Sequence, residues 1–352
     1  MRFPWSKAAL PHTPCRDHTT CGCALDPDKT GKHVFIELSS ACNLNCTFCA
    51  YSWSQRRGTF LPLELLAKIL AELRELRPVD YVMFSALGEP TLHPDFGEAC
   101  RMVKKAGYRL VVTTNGTRLN QGVRDLPIDE LYVSFNTPTP ESYALKRGKG
   151  PSFDAYVENL AAFVQSVPLY DTYIYFLTQN LRDYPDAAGF AVAESPEFAR
   201  HLEDLLRRIR PGVRVPVPVP RQLELYSNVF VLLKPLTLWV NENLPPQLAL
   251  EEATHIPGAS CSYYKHHLNI IASGEVTICC GDADAALSLG NVRNESLRSI
   301  YLRKRADADL AENPLCRKCK GKVRFRDPVS CSGSSPIAGL NERALFTGAD
   351  AV

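Results

Sequence analysis

Between His33 and Ile209 the chain alternates short β-rich runs with amphipathic helical stretches, and this alternation restricts the fold more than any other feature. The runs His33 to Ser39, Tyr81 to Ala86, Arg109 to Thr114, Glu130 to Phe135 and Asp171 to Leu177 read as strands. The stretch Pro62 to Leu76 reads as a helix, because Leu65, Leu66, Ile69, Leu70, Leu73 and Leu76 recur at helical spacing and Pro62 suits a first turn. Pro94 to Ala106, stopped by Gly107, Ser152 to Gln165 and Pro196 to Ile209 are further helices. Strands and helices in turn build βαβ units and a parallel sheet, with ligand sites at the carboxyl ends of its strands. Three stretches fall outside the pattern: residues 1–32, residues 211–250 and the cysteine-rich region from about Gly258. In the second, Pro211, Pro216, Pro218, Pro220, Pro235, Pro245 and Pro246 forbid long regular elements.

A length of 352 residues with 45% hydrophobic content supports one large α/β domain and a smaller one. Forty basic residues against 38 acidic ones leave a net charge of +2, which gives no electrostatic footprint for nucleic acid or an anionic membrane. Small neutral or peptidic substrates remain open. No apolar signal segment follows Met1 to Lys7, and the longest apolar stretch, Val229 to Val240, is interrupted by Lys234 and Pro235. Thirteen cysteines, an odd number without an export signal, point to metal or redox chemistry in the cytoplasm rather than to disulfides.

Directly after the first strand come Cys42, Cys46 and Cys49, at C-x3-C-x2-C spacing. A four-iron cluster normally takes four thiolates, so a tight trio holds three irons and leaves one open for substrate or cofactor. Zinc is the alternative, although zinc sites usually present paired C-x2-C knuckles with a matching second pair. The trio resembles the radical S-adenosylmethionine (SAM) superfamily. That resemblance implies a partial (β/α)6 barrel, a SAM-binding 4Fe-4S cluster on Cys42, Cys46 and Cys49, and cleavage of SAM to a 5'-deoxyadenosyl radical that abstracts hydrogen from carbon.

The same resemblance extends to the pocket. Leu87-Gly88-Glu89-Pro90 is similar to the GGEP turn of the family, with Leu87 in place of the first glycine, and implies contacts from Gly88, Glu89 and Pro90 to the SAM ammonium. Phe48, before the third cysteine, has the aromatic position that packs near adenine. Thr114 and Asn115 after the third strand, with Ser134 and Asn136 after the fourth, stand where family members bind ribose and the methionine carboxylate.

Further along, Cys261, the G-x4-C run from Gly274 to Cys279, Gly290-Asn291-Val292 and the pair Cys316 and Cys319 resemble the SPASM/twitch extension of the family. It implies an auxiliary 4Fe-4S cluster on Cys261, Cys279, Cys316 and Cys319; a structural zinc site would use the same cysteines. Since only Cys331 follows, the twitch type with one auxiliary cluster fits better than a full SPASM domain. Cys280 could stand in for Cys279, except that neighbouring strand residues point to opposite faces. Cys100 reads as a small buried hydrophobe on its helix. Cys15, Cys21, Cys23 and Cys331 match no ligand spacing and read as unpaired thiols.

The expected organisation is an irregular segment over 1–32, a partial barrel over 33–250 with a proline-rich connection at 211–250, an auxiliary-cluster domain over 251–330 and a tail over 331–352. A fully ligated auxiliary cluster has no open iron and relays electrons, which favours oxidation. The nearest family reading is the twitch dehydrogenase of aminocyclitol biosynthesis, which implies a small hydroxylated substrate and a flavodoxin- or ferredoxin-like electron donor. A peptide-modifying enzyme or a redox-neutral epimerase are the alternatives, and a non-enzymatic metal-binding protein is the remote one. Only 32 residues precede the first strand, too few for a folded leader-recognition module. For the catalytic base, Tyr175, Asn180, Arg182 and Asp183 lie at or after a strand end, and nothing singles one out.

Overall fold

The computed structural model describes residues 32–166, 168–178, 195–235 and 267–306. Strands β1 (Lys32–Ile36), β2 (Val79–Phe84), β3 (Leu110–Thr114), β4 (Glu130–Asn136) and β5 (Asp171–Thr178) fall where the alternation places them. The helices between them are α1 (Leu63–Glu72), α2 (Phe96–Lys105), α3 (Gln121–Arg124), α4 (Pro140–Tyr143), α5 (Phe153–Gln165) and α6 (Pro196–Ile209). Serines cap the two longest: the Ser152 side chain accepts from Ala155 N–H and that of Ser195 from Phe198 N–H, filling orphan donors of the first turn. α1 passes at Leu73 into a tighter turn over Leu73–Leu76, which stops at Arg77 because a residue before proline disfavours helical backbone.

The proline-rich connection is more regular than its composition suggests. β6 (Gln222–Tyr226) and β7 (Val229–Pro235) fit between Pro220 and Pro235, and β7 pairs with β5 in parallel along its whole length. It is the sixth parallel strand, so β1-β2-β3-β4-β5-β7 with their helices form the six-strand partial barrel. The described part of the cysteine-rich region extends this sheet instead of standing apart. β8 (His267–Ile270) joins the free edge of β1 in parallel, β9 (Glu275–Thr277) and β10 (Ser288–Asn291) follow antiparallel, and α7 (Leu297–Ala306) closes the segment.

Alternation along the strands divides the interior in two. Val34, Ile36, Val82, Phe84, Val112 and Val133 join the buried faces of the helices in the main core. Phe35, Tyr81, Met83, Val111, Tyr132, Tyr173 and Leu232 form a second apolar layer on the opposite, inner face. Tyr132, Tyr173 and Phe230 stack across β4, β5 and β7 with ring centroids 4.8 and 5.1 Å apart. Among the described residues no helix is long and apolar enough to cross a membrane.

Candidate functional site

The loop carrying Cys42, Cys46 and Cys49 leaves β1 at its carboxyl end and has almost no regular structure of its own, so its shape comes from what grips it. Its two ends are pinned together: Ser40 N–H donates to Thr59 O at 2.8 Å and Leu61 N–H to Leu38 O at 2.9 Å. Its middle is stitched to the segment after α4, where Asn45 N–H donates to Arg147 O, Thr47 N–H to Leu145 O and Lys149 N–H to Asn43 O at 2.7 to 3.0 Å. Cys42 Sγ accepts from Leu44 N–H at 3.4 Å and from Asn115 Nδ2 at 3.7 Å, and Cys49 Sγ accepts from Tyr51 N–H at 3.5 Å. Burial pushes the Cys46 thiol up to about 11 and that of Cys49 to about 12, so without a metal to displace the protons these are inert thiols. Among the described residues no three His, Cys, Asp or Glu side chains converge as a single metal ion requires. A cubane, taking one thiolate on each iron, asks for no such point.

Gly88 lies against the backbone of this loop. A Cβ there would stand 2.0 Å from Ser39 O and 2.7 Å from Ala41 O, while Glu89 N–H donates to Ala41 O at 2.8 Å. Glu89 is buried and caps the short turn Pro90–Leu92, with Pro90 as the first residue of that turn. Its carboxylate accepts from Thr91 N–H and Oγ1, Thr114 Oγ1 and Asn115 N–H at 2.6 to 3.1 Å. Desolvation raises its pKa and those four donors lower it, so its oxygens tie the end of β2 to the end of β3. Asn115 continues the network, donating from Nδ2 to Asn43 Oδ1 at 2.9 Å. Phe48 is buried within the loop.

At the end of β4, Ser134 Oγ hydrogen-bonds the hydroxyl of Tyr175 from β5, whose phenol burial pushes up to about 12. Asn136 takes a left-handed backbone with φ of 69°, and its Oδ1 is buried with no hydrogen-bond partner among the described residues. An unsatisfied buried acceptor beside a cage of fixed polar groups fits a ligand with an ammonium or hydroxyl to donate. The structure thus brings all eight expected SAM-pocket residues and the trio to the carboxyl ends of β1 to β4. Of the second cysteine set only Cys279 lies among the described residues; Cys261, Cys316 and Cys319 lie outside them, as do Cys15, Cys21, Cys23, Cys331, Asn180, Arg182 and Asp183. Cys279 Sγ accepts from Gly281 N–H at 3.3 Å, whereas Cys280 packs against the inner apolar layer.

Three features escape sequence reasoning. Glu37, at the end of β1, is 1% exposed and takes both arms of Arg56 at 2.7 and 3.2 Å, along with the N–H groups of Leu87 and Ala272. Arg56 also donates from Nε to Ala283 O at 2.8 Å, so this pair joins the trio loop, the Leu87 turn and the region after β8. Leu87, the departure from the family glycine, packs with Ala50 and Ala283 in the same seam. The third is Lys146, 2% exposed, which donates to Ser134 O at 2.8 Å and whose pKa burial lowers to about 8.

A profile of the radical SAM superfamily matches residues 36–191, and one of the SPASM iron-sulfur cluster-binding domain matches residues 261–320. The chain carries a radical SAM domain followed by a SPASM iron-sulfur cluster-binding domain. Its cofactors are SAM and 4Fe-4S clusters. Among similar proteins, the tungsten-containing aldehyde ferredoxin oxidoreductase cofactor-modifying protein of Pyrococcus furiosus is 33% identical over 117 residues, 32% of this chain and 33% of that one. A probable GTP 3',8-cyclase of Pyrobaculum aerophilum is 31% identical over 119 residues, 33% of this chain and 38% of that one. The chain therefore spans little more than a third of these relatives. In fold it resembles Streptococcus suis SuiB bound to precursor peptide SuiA, with 14% identity, a TM-score of 0.51 and coverage of 83% of this chain and 71% of that one.

Proposed function

We propose that Cys42, Cys46 and Cys49 hold a 4Fe-4S cluster by three irons, and that the fourth binds SAM in the pocket of Phe48, Gly88, Glu89, Pro90, Thr114, Asn115, Ser134 and Asn136. The observation that carries this reading is the trio's single loop at the carboxyl end of β1, with N–H groups aimed at Cys42 and Cys49 Sγ. When bound, cluster and SAM together supply a 5'-deoxyadenosyl radical for hydrogen abstraction. The chain's own work is to hold and shield. Leu44 and Tyr51 N–H and Asn115 Nδ2 would stabilise thiolates, the unpaired Asn136 Oδ1 would accept from a hydroxyl or ammonium of bound SAM, and the aromatic inner layer would help to exclude water.

Cys261, Cys279, Cys316 and Cys319 hold the auxiliary cluster in this reading, with Cys279 preferred to Cys280 because its sulfur accepts an amide N–H. Four thiolates complete a cubane, so that cluster accepts electrons and the reaction is an oxidation, of a small hydroxylated natural-product intermediate. A flavodoxin- or ferredoxin-like protein supplies the electron, in the cytoplasm. A peptide substrate is the second reading, supported by the fold likeness to a protein solved with its precursor peptide.

With all three trio cysteines replaced by Ala, anaerobically reconstituted protein should form no 5'-deoxyadenosine with dithionite; undiminished formation would remove the assignment. With a deuterated hydroxylated substrate, label should enter 5'-deoxyadenosine while a ketone or aldehyde accumulates in matching amount. Label returned to product without net oxidation would make the enzyme an epimerase, and turnover of a ribosomal peptide alone would favour the second reading.

A further inference from the structure

Lys146 is a buried cation whose surroundings do little to neutralise it. Its ammonium has three N–H donors, and among the described residues only the Ser134 carbonyl accepts one of them. The rest of its shell is aromatic: the rings of Tyr156, Tyr143 and Phe135 lie 4.8, 5.5 and 5.6 Å from Nζ. Ring faces attract a cation, but they do not replace a counter-ion. Among the described residues no carboxylate pairs with Lys146. The groups whose charge would act on it are the trio thiols Cys46 and Cys42, once ionised by a cluster, and then the Glu89 carboxylate.

Its position relative to the trio is fixed by the backbone. Leu145 and Arg147 carbonyls accept from Thr47 and Asn45 N–H, and the Lys146 carbonyl lies 3.6 Å from Cys46 Sγ. Glu89 is already satisfied by four donors of its own. An ammonium enclosed in this way becomes favourable when negative charge occupies the neighbouring loop.

The geometry points to Lys146 as the buried counter-charge of the cluster on Cys42, Cys46 and Cys49, raising its reduction potential without touching substrate. The inference rests on the assignment of the cluster to that trio. Reduction adds one electron, supplied by the donor, and one negative charge to the cluster. A fixed cation nearby stabilises the reduced form more than the oxidised one, and losing it makes reduction harder. The effect reaches the chemistry through the cluster alone, since SAM is cleaved only by the reduced state.

The test is an EPR-monitored potentiometric titration of reconstituted Lys146→Met beside wild type. The relevant wave is the one absent from the triple-alanine trio variant; if wild type and that variant give the same waves, the trio assignment fails. If the wave is present, Lys146→Met should lower the ratio of reduced to oxidised cluster on the order of tenfold at a given potential, a shift of ~59 mV. Any auxiliary-cluster wave should stay where it is. An unmoved potential, or equal movement of both waves, would overturn the inference. Should the Met variant lose its iron, Lys146→Gln, which keeps a donor for the Ser134 carbonyl without the charge, takes its place in the same measurement. Loss of iron from both variants with the fold intact by circular dichroism would make Lys146 a structural residue and overturn the inference as well.

Discussion

Gly88→Ala tests whether the turn after β2 is seated on the trio loop as closely as the geometry requires. The added methyl would stand 2.0 Å from Ser39 O, 2.7 Å from Ala41 O and 2.8 Å from Ser39 C, and all three are backbone atoms that no rotamer change can move. Overpacking where side chains can yield costs roughly 1–3 kcal/mol. Here the strand-end backbone must retreat and the Glu89 N–H to Ala41 O bond is lost with it, adding about 1 kcal/mol. A total of about 3 kcal/mol or more, at ~2–4 °C per kcal/mol for a domain of this size, lowers the melting temperature by about 6–12 °C. Because the displaced residues lead directly into Cys42, the variant should also lose iron from the trio cluster. The control is Gly58→Ala, where φ is +77° and nothing lies within 4 Å of the new Cβ, so only the left-handed backbone is penalised, by about 1 kcal/mol. If Gly88→Ala melts no lower than Gly58→Ala and keeps its full iron, the close approach is wrong.

Removing the trio by alanine should reduce bound iron from about eight to about four per chain, since four thiolates remain for one cubane; Mössbauer spectra showing no cluster, or stoichiometric zinc, would remove the auxiliary cluster. Arg56→Met leaves the Glu37 carboxylate buried with two backbone donors and should cost about 3 kcal/mol in urea unfolding, the low end for a broken buried pair because Arg56 is 18% exposed. Adding Glu37→Gln to that variant should recover part of the loss, and strict additivity of the two would show that the pair is not coupled. Leu87→Gly, which restores the family residue, removes a side chain 3% exposed between Ala50 and Ala283 and should destabilise by about 3 kcal/mol; a neutral result would mean that the seam carries no packing energy.

The parts of the fold that sequence reveals are those whose signal is local. α6 occupies the predicted Pro196–Ile209 because apolar spacing, the Ser195 cap and Pro196 at its first position all agree. β7 was hidden by its setting: the prolines around it read as a connection, yet the seven residues from Val229 to Pro235 suffice for a strand once β5 offers a full row of partners. Among site residues, the trio is legible as a group because its three cysteines lie in one short run directly after β1. Lys146 is not, since a lysine in the run Lys146-Arg147-Gly148-Lys149 reads as a solvated cation, and only the seating of this segment under the trio loop buries it. Glu89 illustrates a subtler limit. Its turn suggests a carboxylate aimed at a ligand, while the folded chain gives both oxygens to Thr91, Thr114 and Asn115, a network joining residues 25 and 26 positions apart.

The trio loop therefore owes its shape to elements that are distant in sequence, and this orders the events of assembly. Asn43 and Asn45 are held from residues 147 and 149, Cys42 from Asn115, and Arg56 from Ala283, 227 positions away. β1 is an interior strand only because β8 arrives from the far end of the chain to pair His33 with His267 and Ile36 with Ile270. Without that hairpin β1 would be an open edge, Glu37 would lose the Ala272 amide and Arg56 the Ala283 carbonyl. Long-range contacts of this kind form late, after loop closure has been overcome. Cysteines placed by late contacts cannot template the sheet that places them, so on the proposed cluster assignment iron would enter a loop whose geometry the finished sheet has already set.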